Sequence, residues 1–163
     1  MYTVNSLFKK PVISQDTGEQ IATIQDVVLD QPPTRVLAVL IDTGGWMESA
    51  RVIRWEQVVS LGDVLLVRGE PPYAKISDDP EMAALAKQSH QITGTTIITV
   101  DGEQIGTVAD LMIEASGQIV GYEVKQGFFK DLRGRSLLPV VQVRSVGADA
   151  VIVDNPQLET PGS

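Results

Sequence analysis

The sequence predicts a mainly β protein: two tandem small antiparallel β-barrels joined by a linker with one short helix. The first observation is a duplication, because GEQIATIQDVVLD at residues 18–30 returns as GEQIGTVADLMIE at residues 102–114, an offset of 84 residues. The second is that both halves consist of short apolar segments separated by turn residues. The third is that a helical pattern occurs between the halves and not within them. Repetition on this scale indicates two copies of one folding unit.

The duplication extends well beyond the repeated stretch. Residues 36–39 (VLAV) correspond to residues 119–122 (IVGY), and residues 52–58 correspond to residues 137–143 at an offset of 85. We therefore assign residues 1–70 to the first repeat, 71–91 to a helical linker, 92–154 to the second repeat and 155–163 to a disordered tail. Units of about 70 residues are marginal alone, so we expect them to pack on each other or on another copy.

Five strands are expected in the first repeat. Residues 7–14 contain a proline and suit an edge strand. Residues 25–30 alternate, with Val27 and Leu29 on the barrel side. Residues 35–42 form an apolar run typical of a strand covered on both faces. Strands at 51–59 and 64–67 follow, and the turns between strands are marked by glycine, proline and aspartate.

The linker contains the signals of a helix start. Asp78 or Asp79 supplies an N-cap, Pro80 occupies the first turn, and Glu81 suits the positive end of the helix dipole. Met82, Leu85 and Ala86 mark one apolar face of a helix that runs to about Ser89. We expect this helix to dock between the two repeats.

Composition excludes several classes of partner. The net charge is −8 and the pI is near 4.5, which disfavours duplex nucleic acid and anionic membrane surfaces as partners. There is no cysteine, so disulfides, iron–sulfur clusters and thiol nucleophiles are excluded. No apolar run approaches the ~20 residues of a transmembrane segment, and the N-terminus lacks the pattern of a signal peptide. We expect a cytoplasmic protein.

The repeated residues resemble the PRC-barrel domain family. In the second copy the resemblance rests on the Gly102–Glu114 stretch, on Ser136–Pro139 and on Gly147–Val153. The first copy differs in having Ala22 in place of Gly106 and Arg54 in place of Pro139. The resemblance implies similarity to the cytoplasmic domain of the photosynthetic reaction-centre H subunit and to the C-terminal domain of a ribosome maturation factor. It therefore implies a binding and assembly platform rather than a catalyst.

The residues that could carry chemistry do not form a recognisable site. Asp26 and Asp30, like Asp110 and Glu114, are four residues apart, and in a strand their Cα atoms would be ~13 Å apart, too far to share a metal ion. We expect them on solvated strand faces or as turn caps. His90 is the only histidine, so neither a zinc site nor a Ser/His/Asp set is readable, and we expect it to be exposed at the helix end. We therefore predict no enzyme activity, no metal and no cofactor.

Aromatic side chains occupy equivalent loops of the two repeats. Trp46 and Met47 lie in the first loop with Arg51, and Phe128 and Phe129 lie in the second with Arg133. Aromatic and arginine side chains in loops are typical of interface hot spots, and these six residues are the predicted partner-binding residues. The alternative is that each ring folds back to plug its own barrel end.

These patterns predict a non-enzymatic adaptor or assembly factor that binds a protein partner. Docking would use the loops at residues 44–51 and 126–135, or exposed edge strands by β-augmentation. Repeated edges and loop aromatics are also compatible with a homodimer. The alternative function is the binding of a small ligand or pigment in a cleft between the barrels.

Overall fold

The computed structural model describes residues 1–42, 50–69, 71–126 and 135–154. Within these ranges the chain forms two mixed β-sheets of seven strands each and one α-helix. The predicted mainly β class with one short helix is thus confirmed. Trp46, Met47, Phe128, Phe129 and Arg133 lie outside the described residues.

The first sheet contains strands from the first repeat and from the start of the linker. Its strands are β2 (Pro11–Ser14), β3 (Gln20–Leu29), β4 (Val36–Asp42), β5 (Arg51–Arg54), β6 (Val58–Leu61), β7 (Leu65–Val67) and β8 (Ala74–Lys75). They are hydrogen-bonded in the order β6-β7-β2-β3-β4-β5-β8. The edges of this sheet are therefore β6 and β8.

The second sheet repeats this arrangement. Its strands are β9 (Thr96–Thr99), β10 (Gln104–Ile113), β11 (Ile119–Lys125), β12 (Arg135–Pro139), β13 (Val143–Val146) and β14 (Ala150–Val153), together with β1 (Tyr2–Thr3) from the N-terminus. The order is β12-β11-β10-β9-β14-β13, and β1 pairs with β10. Within the described residues, β8 has no counterpart in this order.

The sheets are not purely antiparallel, which corrects the sequence-based prediction. In each repeat the first strand pairs in parallel with the last one, β2 with β7 and β9 with β14. Consecutive strands joined by short turns must be antiparallel, but these two come from opposite ends of a repeat, so no turn sets their direction. Among the described residues, strand pairing closes neither sheet into a barrel. Closure therefore stays a prediction.

Two predicted strands are shorter than expected. The segment expected as one strand at 51–59 is broken by a 3₁₀ turn at Trp55–Gln57, between β5 and β6. The same break occurs in the second repeat at Val140–Gln142. Residues 5–7 form another 3₁₀ turn, so the first strand of the repeat starts at Pro11 instead of residue 7. The alternation of apolar and polar residues did not predict these turns, because each turn is only three residues long.

A segment near the start of each repeat packs on the other repeat. Strand β1, at the start of the first repeat, pairs with β10 of the second, with Tyr2 opposite Ile113. The Tyr2 hydroxyl also donates to the carbonyl of Leu61, 2.8 Å away. Helix α1 (Pro80–Ser89) precedes the second repeat and packs on β3 of the first, where Ser89 Oγ accepts from the N–H of Leu29 at 2.8 Å. This exchange ties the two repeats together.

Helix α1 begins as predicted but lies elsewhere than predicted. Asp79 is its N-cap and accepts a hydrogen bond from the N–H of Met82 at 3.1 Å. Met82 and Ala86 pack on the outer face of the first sheet, where the buried partners are Val28, Ala38, Leu40 and Val52. The body of the helix therefore covers a sheet face, and only its C-terminal end reaches the space between the repeats. Val28 is fully buried for this reason, although the alternation placed it on the polar side.

The two repeats share one hydrophobic core. Val36 donates to the carbonyl of Gly117 at 2.8 Å, and Ile119 donates to the carbonyl of Thr34 at 2.9 Å, so β4 and β11 are joined at their first residues. Apolar side chains of both repeats form a single buried cluster around this bridge. Tyr122 is fully buried in it; burial, with a smaller contribution from the charge of Asp30, raises its pKa to about 12.

A substitution at Gly117 tests how tightly the repeats pack. Gly117 has a φ of +88°, and a Cβ there would lie 2.8 Å from Nε1 of the buried Trp55 in the other repeat. We expect Gly117→Ala to destabilise the protein, because both the backbone and the contact become strained. The control is Gly102→Ala, since Gly102 has the same φ of +88° but no atom within 4 Å of the added Cβ. In urea denaturation, Gly117→Ala should lose about 1–3 kcal/mol more than Gly102→Ala; equal losses would mean that the contact is unimportant.

Candidate functional site

A cavity of about 240 Å³ lies where the two repeats meet. Its walls come from the N-terminal segment, from β3, from the residues after α1 and from β10. They comprise Val4, Asn5, Phe8, Asp26, Val27, Leu29, Ser89, His90, Ile92, Thr93, Asp110 and Leu111. The cavity therefore contains the aspartate of both copies of the repeated stretch.

On the first-repeat side, Asp26 pairs with His90. The Nε2 atom of His90 lies 2.6 Å from Oδ2 of Asp26, while Oδ1 accepts from the N–H of Val27 at 2.8 Å. The His90 side chain is 59% exposed and that of Asp26 is 19% exposed. His90 is the C-cap residue of α1, so the predicted exposed position at the helix end is confirmed. Its partner was not predicted.

On the second-repeat side, Asp110 is buried, which corrects the prediction of a solvated carboxylate. It is only 5% exposed. Strand β1 pairs with β10 at Met112 and Ile113, and the 3₁₀ turn that follows β1 brings the N–H of Asn5 to the Asp110 carboxylate. Its Oδ1 accepts from the N–H of Leu111 at 2.8 Å and from that of Asn5 at 3.2 Å. Burial raises the pKa of Asp110 above its ordinary value and Glu123 adds to this, although the hydrogen bonds from Leu111, Asn5 and the Thr3 side chain oppose the shift.

The two halves of the cavity are related by the duplication. Asn5 and His90 are 85 residues apart, the same offset that relates Leu7 to Ile92. Each of them contacts the aspartate of the other repeat, Asn5 with Asp110 and His90 with Asp26. A shift in strand register occurs just before each aspartate, between Ile24 and Asp26 and between Val108 and Asp110. Such bulges re-aim a side chain, and here each carboxylate turns onto the next backbone N–H.

The other two predicted acids do not belong to this cavity. Asp30 follows β3 and caps the next turn, where its Oδ1 accepts from the N–H groups of Thr34 at 2.6 Å and Arg35 at 2.9 Å. The turn-cap prediction is thus confirmed for Asp30. Glu114 follows β10 and is exposed, and its N–H donates to the carbonyl of Gln118.

The donors and acceptors of the cavity limit its chemistry. Oδ1 of each aspartate already accepts from a backbone N–H, and the single imidazole is held by Asp26. Within the described ranges, no group of three or more histidine, aspartate or glutamate side chains is arranged to hold a metal ion. The Ser89 hydroxyl in the cavity wall is also engaged, since it donates to the carbonyl of Leu85 at 2.6 Å and accepts from the N–H of Leu29.

The predicted partner-binding loops connect strands that point away from the junction. Strands β4 and β11 meet antiparallel at the Arg35–Gln118 bridge and then run in opposite directions. Each has seven residues, so each ends roughly 20 Å from the bridge. The segments at 43–49 and 127–134 follow these ends. Arg51, the one described residue of the predicted set, starts β5 and donates from a guanidinium nitrogen to the carbonyl of Tyr73 at 2.8 Å.

The sheet edges differ between the repeats. In the first repeat β8 pairs with β5, with Arg51 opposite Lys75 and Val52 opposite Ala74. In the second repeat the equivalent strand β12 pairs with β11, and no described strand lies on its other side. The positions of the second repeat that are equivalent to β8, 159–160, lie outside the described residues.

Comparison with known families identifies the repeats. The model of the PRC-barrel domain matches residues 1–70 and residues 86–159, so the chain belongs to the PRC-barrel domain family and carries two copies in tandem. The resemblance noted from the sequence is thereby confirmed. A search of curated proteins found no significant match. In the part of the chain that the structure describes, no helix has the length and apolarity needed to cross a membrane.

The raised pKa of Asp110 gives a prediction for stability against pH. Because the folded state holds the proton more tightly, the stability due to Asp110 is complete below the unfolded pKa and is lost as pH rises through the folded pKa. The Asp110→Asn variant has no carboxyl group to titrate at this position. In urea denaturation between pH 3 and pH 8, the free energy of unfolding of Asp110→Asn minus that of the wild type should therefore increase as pH rises.

The control is Asp101→Asn, which removes an exposed carboxylate from a turn at the end of β9. It corrects for the change in net charge. A pH profile of Asp110→Asn that is parallel to the Asp101→Asn profile would show that the burial of Asp110 has no consequence for stability.

Proposed function

We propose that the protein is a non-enzymatic adaptor that uses its two PRC-barrel domains to bind protein partners at two separate places. The observation that carries this proposal is the antiparallel junction of β4 and β11 at the Arg35–Gln118 bridge. Strands β4 and β11, which lead into the two equivalent loop segments, run in opposite directions from this bridge. One chain can therefore hold two binding surfaces in a fixed relation.

The composition of the loops supports their role as binding surfaces. Aromatics make up only 5% of the chain, yet three of them lie at positions 46, 128 and 129. Tryptophan and arginine are among the residues that contribute most to binding energy at interfaces. Arg51 contributes through its backbone position at the end of the first loop, because its guanidinium is engaged by the Tyr73 carbonyl.

The shared core supports the adaptor role mechanically. A flexible linker between two independent domains would let the distance between the two binding surfaces vary. Partners bound at the two surfaces would then not be held in a fixed relation. Here the repeats are joined by reciprocal hydrogen bonds and one apolar cluster. Partners at the two ends would thus be held at a fixed distance, as assembly requires. The cytoplasmic location expected from the sequence is part of this proposal.

Removal of the loop side chains tests the adaptor function. Two variants separate the ends: Trp46→Ala with Met47→Ala, and Phe128→Ala with Phe129→Ala. Each should lose the partners bound at its own end when the tagged protein is recovered from its native host and the co-purified proteins are quantified. Thermal stability should change little, since surface substitutions cost within about 0.5 kcal/mol.

The matched controls replace exposed apolar side chains elsewhere, Val59→Ala and Val100→Ala, which are 38% and 46% exposed in the wild type. They should recover the same partners as the wild type. If the loop variants instead lose several kcal/mol of stability, the rings are core plugs and the binding surfaces proposed here do not exist.

A second candidate function is ligand binding in the cavity between the repeats. The observation that favours it is the convergence of Asp26, His90 and Asp110 with apolar side chains in a space of about 240 Å³, enough for a small molecule. Native mass spectrometry of protein purified from its own host should then show an added mass that Asp26→Asn with His90→Ala reduces. A clean apo mass in the wild type would contradict this second function.

A further inference from the structure

A second cavity, of about 230 Å³, lies where the end of β3 and the end of α1 meet the turn between β13 and β14. It shares Leu29, Ser89 and Ile92 with the cavity that contains the His90–Asp26 pair. The rest of its wall consists of Gln31, Pro33, Gln88, Gln91 and residues 146–148. None of these described wall residues carries a charge, so the second cavity suits a neutral ligand.

The corresponding place on the other side of the junction is filled by the ring of Tyr2. Leu29 in the wall of the second cavity is equivalent to Ile113, at the offset of 84 residues. Val146 in the same wall is equivalent to Leu61, at the offset of 85. Tyr2 connects these two equivalents, because its backbone pairs with Ile113 and its hydroxyl donates to the carbonyl of Leu61 at 2.8 Å. The duplication therefore shows which chemical group fits such a place.

The backbone beside both places has the same geometry. Lys9 has a φ of +67°, and its N–H donates to the carbonyl of Ile24 at 2.8 Å. Gly94, its counterpart, has a φ of +88°, and its N–H donates to the carbonyl of Val108 at 2.8 Å. The comparison of the Tyr2 ring with the second cavity thus rests on backbone hydrogen bonds as well as on sequence.

The second cavity has no equivalent ring because the chain before it is helical. The residue equivalent to Tyr2 is Lys87, an exposed residue of α1 that is not part of the cavity wall. Three residues of helix advance about 4.5 Å, whereas three residues of strand advance about 10 Å. Strand β1 therefore carries Tyr2 to the first hairpin turn, while the shorter rise of α1 does not bring Lys87 to the second.

The charged neighbour of Tyr2 is also replaced. The Lys10 ammonium donates to the carbonyl of Gly62 at 2.6 Å and lies 5.9 Å from the centre of the Tyr2 ring. Its counterpart is Thr95, whose hydroxyl donates to the carbonyl of Gln91 at 2.8 Å. The second cavity therefore corresponds to the place of the ring and not to that of the cation.

The carbonyl of Val146 supplies a hydrogen-bond acceptor in this wall. The N–H of Gly147 donates to the carbonyl of Ala150 at 2.9 Å, so residues 147 and 150 are a hydrogen-bonded pair of the hairpin. Such pairs alternate along antiparallel strands, so the backbone groups of Val146 point away from β14. A donor in the second cavity can meet this carbonyl as the Tyr2 hydroxyl meets that of Leu61.

The last described residue lies at the other end of this hairpin. The N–H of Asp154 donates to the carbonyl of Gln142 at 3.2 Å, next to the start of β13. Strand β13 has four residues, so this end is about 13 Å from the turn at residues 147–150. The chain therefore leaves the second repeat well away from the second cavity.

We propose that the second cavity binds a small neutral phenol, whose ring packs against Leu29 and Ile92 and whose hydroxyl donates to the carbonyl of Val146. Both apolar side chains are buried, at 3% and 7% exposure. The cavity is smaller than the roughly 300–1,000 Å³ of drug-sized sites, which limits the ligand to one ring with small substituents. This site is separate from the loop surfaces and from the His90–Asp26 pair, so a result here neither supports nor contradicts the functions proposed above.

The test titrates the full isotope-labelled chain with p-cresol, which has the structure of a tyrosine side chain. In NMR spectra, p-cresol should give saturable shifts of the backbone amides of residues 146–148 and of Leu29. The comparison ligand is p-methylanisole, which has the same ring but no donor, and it should bind about three-fold more weakly. A cavity that is merely apolar would give the reverse order, because the ether is the more hydrophobic compound.

Two matched variants assign the binding to this cavity. Ala148→Trp places a large side chain in the wall at an exposed turn position and should weaken p-cresol binding about ten-fold. The control is Asp63→Trp, since Asp63 is the exposed residue at the equivalent turn position of the first repeat. This control should bind p-cresol as the wild type does.

Removal of the Tyr2 ring tests the equivalence itself. Tyr2→Ala should open the corresponding place, so p-cresol should also shift the amides of Leu61 and Ile113 in this variant. Because ligands that bind only the folded state stabilise it, p-cresol should raise the Tm of Tyr2→Ala more than that of the wild type.

The inference is overturned if p-cresol gives no saturable shifts, if p-methylanisole binds as tightly, or if Ala148→Trp binds p-cresol like the wild type. Shifts centred on Asn5, Asp110 and Leu111 would also overturn it, because the ligand then occupies the other cavity. So would tighter binding of N-acetyltyrosinamide than of p-cresol, because the occupant is then the tyrosine side chain of a partner protein.

Discussion

The structure depends on the reciprocal hydrogen bonds that join β4 to β11 at Arg35 and Gln118. A repeat of about 70 residues is of marginal size for a stable core, and this bridge brings the two apolar interiors into one cluster. The bridge also decides the geometry of the surface, because it makes the equivalent strands run in opposite directions. The shared core and the opposite directions of β4 and β11 thus have a common cause.

Strand β1 and helix α1 each pack on the opposite repeat, which strengthens this junction. Because one is a strand and the other a helix, they also make the two sides of the junction different. Asn5 and His90 occupy equivalent positions and each contacts the aspartate of the other repeat. The segment before the first repeat is a short strand, however, whereas the segment before the second is a helix. Asp110 is buried beside the 3₁₀ turn that follows β1, while Asp26 remains partly accessible beside His90. The same helix covers the outer face of the first sheet, whereas no helix among the described residues covers that of the second. Duplication therefore produced two similar sheets with different surfaces.

Much of the fold could be predicted, because its signals are local. The helix start at Asp79 and Pro80 follows from capping chemistry within four residues, and the structure has it there. The inward positions of Val27 and Leu29 follow from alternation along one strand. The prediction that Asp110 is solvated was wrong because the residue that covers it is distant in the sequence. Its cover comes from Asn5, 105 residues earlier, and no local pattern reports such a contact.

The sequence by itself determined the duplication, the family, the strand-and-turn content and the position of the helix, since each depends on neighbouring residues or on comparison of the two halves. Only the tertiary structure decided the parallel pairs, the pairing of His90 with Asp26 and the burial of Asp110. These features depend on which segments meet across long separations, such as the 64 residues between His90 and Asp26. Such contacts are selected by the total apolar surface that the fold buries, and that quantity belongs to the whole chain instead of any one stretch of it.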